Sequence, residues 1–171
     1  MVLVFSLNNY TKINTLFINI IREPNINELK YRRGLIYLRK KNYKKAIDDF
    51  SDVIWRNKSE HVRGRRSLFI GKEKLYNTYL FRSFTLSLLR KFDDARADFS
   101  FLMKSDCPWS YLYFLLFTDE VLNNDTNIAI NYYCKLREVS KELIPFEKDL
   151  LTHLQINKTL GKTIELINYS L

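Results

Sequence analysis

The feature that most constrains the fold of this chain is an internal repeat. Residues 33–50, RGLIYLRKKNYKKAIDDF, recur as residues 82–99, RSFTLSLLRKFDDARADF. In both copies an apolar run ends in basic residues. An aromatic residue follows, then an alanine three positions later and a phenylalanine four positions after the alanine. A unit of this length cannot cover its own apolar face, so the repeat predicts neighbouring units that stack on one another.

Two weaker copies follow at a regular distance. Ala129 lies 34 residues after Ala95, and Thr163 lies 34 residues after Ala129. The first step, from Ala46 to Ala95, is 49 residues, which is the same distance plus an insertion of 15. The matching positions are Thr126, Ala129, Tyr133 and Leu136 in the third copy and Leu160, Thr163 and Ile167 in the fourth.

Helices are the predicted content of each unit. The chain has only four glycines and three prolines, which are the residues that punctuate the tight turns of all-β proteins. We expect Asp106 and Asp125 to cap helix N-termini, Pro108 to occupy an early helical position, and Asn123-Asn124 to lie at a helix end. Apolar side chains follow helical spacing at Ala46, Phe50, Val53 and Ile54.

The repeat resembles the tetratricopeptide repeat, a family of paired antiparallel helices with a period of 34 residues. The first copy matches best, with Gly34 as the small residue of the first helix, then Tyr37, Ala46 and Phe50. The second copy has Tyr79, Ser83, Ala95 and Phe99, and the third has Tyr113, Ala129 and Tyr133, with Phe117 in place of the small residue. The fourth has Leu151 and Thr163 at the two small positions.

The resemblance, over about residues 27–170, implies an all-α fold. We expect a helical-hairpin solenoid of three to four such repeats in one domain, residues 1–171. Its predicted parts are an N-terminal packing segment (1–25), repeat 1 (27–58), a basic insertion loop (59–72), repeat 2 (73–107), repeat 3 (108–141) and a divergent repeat 4 or cap (142–171).

A partner groove is the second implication of the resemblance, because the first helix of each hairpin lines a concave surface in this family. The groove is apolar, unlike the Lys, Asn and Arg clamp of members that grip acidic chaperone tails. Residues 2–21 of the chain or a partner's amphipathic helix would fill it, unless these side chains belong to the core. The predicted groove residues are Tyr31, Leu35, Leu38, Leu80, Phe84, Leu88, Tyr111, Phe114 and Val121.

Positive charge is concentrated in one stretch of the chain. Residues 27–74 hold 15 Lys and Arg against 6 Asp and Glu, whereas the remainder holds 13 of each. Such a stretch predicts a site for RNA, an acidic protein surface or anionic lipid, with a solvated basic surface as the alternative. The candidate anion-binding residues are Lys40, Lys41, Lys44, Lys45, Arg63, Arg65, Arg66 and Lys72.

Catalytic patterns are not found in the sequence, so we do not expect an enzyme. There is no glycine-rich phosphate loop, no metal-binding His-Glu pattern and no Cys-X-X-Cys. The two histidines, His61 and His153, have no partner at triad or ligand spacing. The two cysteines, Cys107 and Cys134, are interpreted as reduced thiols, with a disulfide between them as the alternative. We predict no catalytic residue, no cofactor and no metal.

The expected function is that of an intracellular interaction scaffold, a subunit of a larger assembly that binds protein partners. The alternative is an RNA-contacting subunit of a ribonucleoprotein, for example of an organellar ribosome. No apolar stretch is long enough to cross a bilayer. Residues 1–21 carry Lys12 and no acid, which leaves a mitochondrial presequence as an alternative to a packing segment, and both cytoplasm and mitochondrion stay open.

Overall fold

A computed structural model describes residues 26–63, 70–140, 150–154, 156 and 158–169, and for residues 60–63, 158, 159 and 169 it describes the backbone alone. Within these ranges the chain is all-helical and has no strand, which confirms the predicted all-α class. The helices are α1 (Ile26–Arg39), α2 (Tyr43–Arg63), α3 (Lys72–Leu88), α4 (Phe92–Lys104), α5 (Trp109–Leu122), α6 (Thr126–Val139) and α7 (Lys158–Tyr169).

Three connections between helices share one turn geometry. Each contains a residue with positive φ just past the end of the first helix: Lys41 (58°), Arg90 (59°) and Asn124 (62°). At the α1–α2 turn, the amide of Lys41 donates to Leu38 O at 2.8 Å and that of Asn42 donates to Tyr37 O at 2.9 Å. This pair of bonds defines a Schellman cap, which satisfies carbonyls that a helix end leaves unpaired.

The same two bonds recur in the α3–α4 turn and in the α5–α6 turn. In the α3–α4 turn, the amide of Arg90 donates to Ser87 O and that of Lys91 donates to Leu86 O. In the α5–α6 turn, the amide of Asn124 donates to Val121 O and that of Asp125 donates to Glu120 O, and all four bonds measure 2.9 to 3.2 Å. In every case an alanine follows five residues after the positive-φ residue. These alanines, Ala46, Ala95 and Ala129, are buried, so the repeat read from the sequence is also a repeat of backbone conformation.

Contacts divide the chain into two compact units, with the boundary between Thr85 and Leu86 inside α3. Unit 1 holds α1, α2 and most of α3, and unit 2 holds the end of α3 with α4 to α7. The sequence predicted one repeat domain with a loop from residue 59. The α2 helix extends to Arg63, so residues 59–63 are helical, and residues 64–69 lie outside the described ranges.

Unit 1 is built on close contact between α1 and α2. Gly34 leaves room for the fully buried ring of Phe50, because a Cβ atom at position 34 would lie 2.6 Å from Phe50 Cε1. The ring of Phe81, on α3, lies 6.1 Å from that of Phe50 and 6.3 Å from that of Tyr31. Three helices therefore meet around one aromatic cluster.

Unit 2 uses a different contact at the matching position. Phe117 replaces the small residue, and its ring lies 5.2 Å from the ring of Tyr133, so two aromatic rings pair where unit 1 has a glycine and a ring. Helix α6 also contacts α7, where Asn168 Nδ2 donates to the Tyr133 hydroxyl at 3.1 Å. The third hairpin therefore keeps the turn but changes the packing between its helices.

The helix ends in the structure agree with the predictions from the sequence at two positions and differ from them at two. Asp125 caps α6, because its side chain accepts a hydrogen bond from the Ile128 amide at 3.1 Å, and Asn123-Asn124 ends α5. Asp106 does not cap α5. Pro108 occupies the cap position itself, with no side-chain cap bond, rather than the first helical turn. The fixed φ of the proline starts the helix there, so the prediction for Asp106 was wrong.

Candidate binding surfaces

The predicted groove residues are mostly buried. In unit 1, Leu80 and Phe84 are 0% exposed, and Tyr31 and Leu38 are also buried. In unit 2, Tyr111, Phe114 and Val121 are buried as well. Leu35 in unit 1 and Leu88 in unit 2 keep partly exposed side chains. A buried side chain offers no surface to a partner unless the chain that covers it moves.

Whether residues 2–21 cover these positions lies outside the described part of the chain. The choice between a filled groove and an ordinary core therefore remains open, and the partner groove stays a prediction. In α3, eleven of the twelve residues from Tyr76 to Ser87 are buried, and Arg82 is partly exposed. Helix α3 is thus a central packing element.

Exposed apolar side chains lie elsewhere, mainly on the second helix of each hairpin. Trp55 on α2 is 62% exposed, and Met103 on α4, Ile128 and Val139 on α6 are also exposed. Trp109, at the start of α5, is 63% exposed, and its ring lies 6.1 Å from that of Tyr113. Among the described residues, Leu166 on α7 completes this group.

Sequence reasoning missed this group, although a signal for Trp55 was present. Trp55 is five residues, or about 140° around a helix, from Phe50, which points into the core. Helical periodicity therefore predicts that Trp55 lies on the polar side of α2. An indole on a polar helix face is a candidate contact for a partner, because tryptophan is enriched among the residues that anchor interfaces.

Ion pairs connect the three helices of unit 1. Arg33 on α1 donates two hydrogen bonds to Asp49 on α2, at 2.8 Å and 2.5 Å, and both side chains are largely buried. Lys30 on α1 and Arg56 on α2 both pair with Asp52. The bidentate Arg33–Asp49 pair is the strong member of this set, because its geometry is fork-to-fork and water is largely excluded.

A second carboxylate links α1 to α3. Lys74 donates to Glu28 at 2.7 Å, and Arg32 donates to the same side chain at 2.8 Å. Burial alone would raise the pKa of Glu28, but the hydrogen bonds from Lys74 and Arg32 outweigh it and hold that pKa below its ordinary value. The pKa of Asp52 is lowered in the same way, with burial opposed by Lys30 and Arg56.

The basic turn, which we define as residues 39–45, joins α1 to α2 and carries five cations. Arg39, Lys41, Lys44 and Lys45 are exposed, and Lys40 is partly exposed. Arg39 ends α1, Lys44 and Lys45 lie in the first turn of α2, and Lys40 and Lys41 lie in the turn between them, with Lys41 at positive φ. The structure thus brings together the predicted candidates Lys40, Lys41, Lys44 and Lys45.

The ring of Tyr37 supports one side of the basic turn. Lys45 Nζ lies 5.6 Å from the ring centroid, and the guanidinium of Arg33 lies 5.8 Å from it. Burial raises the pKa of the Tyr37 hydroxyl, Arg33 opposes that rise, and Asp49 adds to it. The ring therefore stays neutral and presents its face to cations at physiological pH.

The remaining basic candidates are separate from this turn in the sequence. The side chains of Arg63, Arg65 and Arg66 lie outside the described residues. Lys72 is exposed at the start of α3, and its Nζ lies 5.7 Å from the ring of Tyr76. The structure therefore gives geometry for one basic cluster, the turn at residues 39–45.

An acidic pair sits at the end of α5 in unit 2. Burial raises the pKa of Asp119, against a hydrogen bond from Ser87 and the charge of Arg96, and one Asp119 carboxylate oxygen is buried without a hydrogen-bond partner. Burial also raises the pKa of Glu120, with further increases from Asp125 and Asp119. Sequence reasoning did not single out this pair.

Both cysteines lie within the described residues. Cys107 and Cys134 are free thiols, as predicted, and Cys107 Sγ donates to Leu102 O at 3.1 Å. Burial raises the pKa of the Cys107 thiol, with Asp106 adding to the rise and a backbone hydrogen bond opposing it, which disfavours the reactive thiolate. In the part of the chain that the structure describes, no cluster of three or more His, Cys, Asp or Glu side chains is arranged to hold a metal ion.

None of the helices that the structure describes combines the length and the apolar character needed to cross a membrane. Comparison of the chain with known protein families, with characterised proteins and with solved structures finds no significant match.

Proposed function

We propose that this chain is a non-catalytic scaffold of tetratricopeptide-like helical hairpins, which binds protein partners within a larger assembly. The observation that carries the proposal is the threefold recurrence of one turn, each time followed five residues later by a buried alanine. Repeats of this kind provide extended surfaces for binding rather than a pocket for chemistry.

Each of the two units has an exposed tryptophan that supports a contact surface of its own. Trp55 and Trp109 each place an indole in water, where large apolar groups mark interaction sites. In this proposal a partner contacts Trp55 on the outer face of α2, and a partner contacts Trp109 at the start of α5. The buried residues of the predicted groove pack the helices that hold these indoles in place.

A photo-crosslinking experiment tests the proposal. A photoreactive phenylalanine analogue replaces Trp55 in one variant and Trp109 in another. Matched controls carry it at Lys91 and Asn131, which are exposed polar positions on the same kinds of element. Each tagged protein is expressed in its native cells, irradiated and purified under denaturing conditions, with and without nuclease.

The expected result is a discrete crosslinked polypeptide from the tryptophan positions that the control positions do not give and that nuclease does not remove. Equal crosslinking from all four positions would show that the indoles are not a contact surface. Loss of the crosslink after nuclease would replace the protein scaffold with the ribonucleoprotein alternative.

A further inference from the structure

We propose that the partner which contacts Trp55 is an acidic protein segment that also presents an apolar side chain to the indole. This inference rests on the proposed function, because it names the chemistry of one partner of that scaffold, and it assigns no acidic partner to Trp109. The two indoles are alike in exposure, at 62% and 63%, but they lie in units of opposite net charge.

The charge of the chain is divided unequally between the two units. Unit 1, residues 1–85, holds 18 Lys and Arg against 7 Asp and Glu, a net charge of +11, whereas unit 2, residues 86–171, holds 10 against 12, a net charge of −2. The excess in unit 1 does not depend on which cations form ion pairs, because it remains even if every acid of the unit is paired. Unit 1 therefore attracts acidic partners, and unit 2 does not.

The indole of Trp55 projects from the outer face of α2 between two small side chains. Ser51 and Ser59 lie four residues before and after it, on the same face of the helix, and both are partly exposed. Neither serine is long enough to cover the indole, so an apolar side chain of a partner can pack against it. Tryptophan buried in this way is a frequent source of binding energy at protein interfaces.

Cations outnumber acids around this indole. Between residues 51 and 59 the one acid is Asp52, which pairs with Arg56 on α2 and with Lys30 on α1. Lys58, three residues after the indole, is exposed. These four charged side chains together carry a net charge of +2, so a partner that places acids beside an apolar anchor complements this face.

An acidic protein segment fits this face better than a nucleic acid. Asp48 is exposed on the same face of α2, seven residues before Trp55, which is about 10 Å along the helix axis. A continuous phosphate backbone that followed this face would bring its charge against that carboxylate. A protein segment instead places acids only where cations lie, for example beside Lys58, and keeps them away from Asp48.

The fluorescence of Trp55 tests the inference. The chain has two tryptophans, so Trp109→Phe leaves Trp55 as the single indole. Three probes are titrated in low-salt buffer: a random copolymer of glutamate and leucine, poly-glutamate of the same charge, and a short single-stranded RNA. The matched control is Trp55→Phe, in which Trp109 reports instead. Circular dichroism checks that both variants stay folded.

The copolymer should shift the emission of Trp55 to shorter wavelength. It should also bind at least about tenfold more tightly than poly-glutamate, because only the copolymer supplies an apolar contact. The emission of Trp109 should not shift. Lys58→Glu should weaken copolymer binding at least about threefold more than Lys41→Glu, because Lys41 precedes α2 and lies roughly 18 Å from the indole along the helix axis.

Three results would overturn the inference. Equal affinity for the copolymer and poly-glutamate, or an equal shift of both indoles, would show that net charge alone attracts the probes. Tighter binding of the RNA than of the copolymer, with the same shift of Trp55, would favour a nucleic acid. The proposed function is tested separately, so a nuclease-resistant crosslink at residue 55 in a chain that does not respond to the copolymer would refute this inference alone.

Discussion

Replacing Gly34 with alanine tests the packing that places α1 against α2. The new methyl carbon would lie 2.6 Å from Phe50 Cε1, 2.9 Å from Cδ1 and 3.1 Å from Cζ. Carbon atoms in ordinary contact lie about 3.5 to 4.0 Å apart, so the overlap with the ring is roughly 1 Å. Phe50 is fully buried and its ring borders that of Phe81, so it cannot move aside freely.

The expected loss of stability follows from two opposing effects. Overpacking of a well-packed core costs about 1 to 3 kcal/mol, and an overlap of this size belongs at the upper end. Alanine in a helix interior is favoured over glycine by about 1 kcal/mol. The net expectation is a loss of about 2 kcal/mol in the free energy of unfolding, or a fall of roughly 4 to 8 °C in Tm for a chain of this size.

Urea denaturation followed by circular dichroism measures this change, and Gly161→Ala is the matched control. Gly161 also lies inside a helix, but a Cβ atom there would meet only Ile156 Cγ2 at 3.9 Å, which is an ordinary contact. Helix propensity then acts alone, and Gly161→Ala should stabilise the protein by about 0.5 to 1 kcal/mol. The two substitutions are chemically identical and should differ in sign.

A double-mutant cycle shows whether Phe50 is the cause. Phe50→Leu replaces the ring with a smaller aliphatic side chain, so the double variant Gly34→Ala/Phe50→Leu should be more stable than the sum of the single changes by about 1 to 2 kcal/mol. Two results would refute the reasoning. One is a Gly34→Ala variant as stable as the original chain, and the other is additivity of the two substitutions.

Three further predictions concern the turn, the buried ion pair and the acidic pair. Lys41→Gly should stabilise the protein by up to about 1 kcal/mol because glycine tolerates positive φ, whereas Lys44→Gly, inside a helix, should destabilise it by a similar amount. The urea midpoints of the two variants measure these stability changes. Changes of the same sign in both variants would contradict the prediction. Asp49→Asn should cost about 3 kcal/mol, measured by urea unfolding at low and high salt, because the largely buried guanidinium of Arg33 loses its charged partner; a cost below about 0.5 kcal/mol would place the pair among surface contacts. Because burial raises the pKa of Asp119, the native state holds that proton more tightly than the unfolded state, so stability falls as pH rises above about 4. Asp119→Asn should therefore add up to about 1 kcal/mol at pH 7 and nothing below about pH 4, and a gain that persists in acid would rule out the carboxylate charge as the cause.

The repeat could be recognised in the sequence because packing between helices requires small residues at fixed positions. Gly34, Ala46, Ala95 and Ala129 are buried, and a Cβ atom at position 34 would overlap the ring of Phe50. The helix cap at Asp125 could also be predicted from the sequence. Asp125 caps α6 because a short carboxylate reaches the free amides at a helix start, a contact that depends only on neighbouring residues.

Exposure could not be read with the same certainty. In the sequence, Leu80 and Phe84 fit a groove or a core equally well, and the structure places both in the interior. Which of two apolar faces is covered depends on helices that arrive from distant parts of the chain. The Lys74–Glu28 pair, formed across 46 residues, depends on the same arrangement.

The sequence by itself determined the helical class, the hairpin period and the concentration of positive charge, since each follows from residue size, spacing or a count. Only the tertiary structure decided that Glu28, Asp49 and Asp52 form ion pairs between the helices of unit 1. The physical reason is that charge is a property of residues, whereas its compensation depends on which residues the fold brings together.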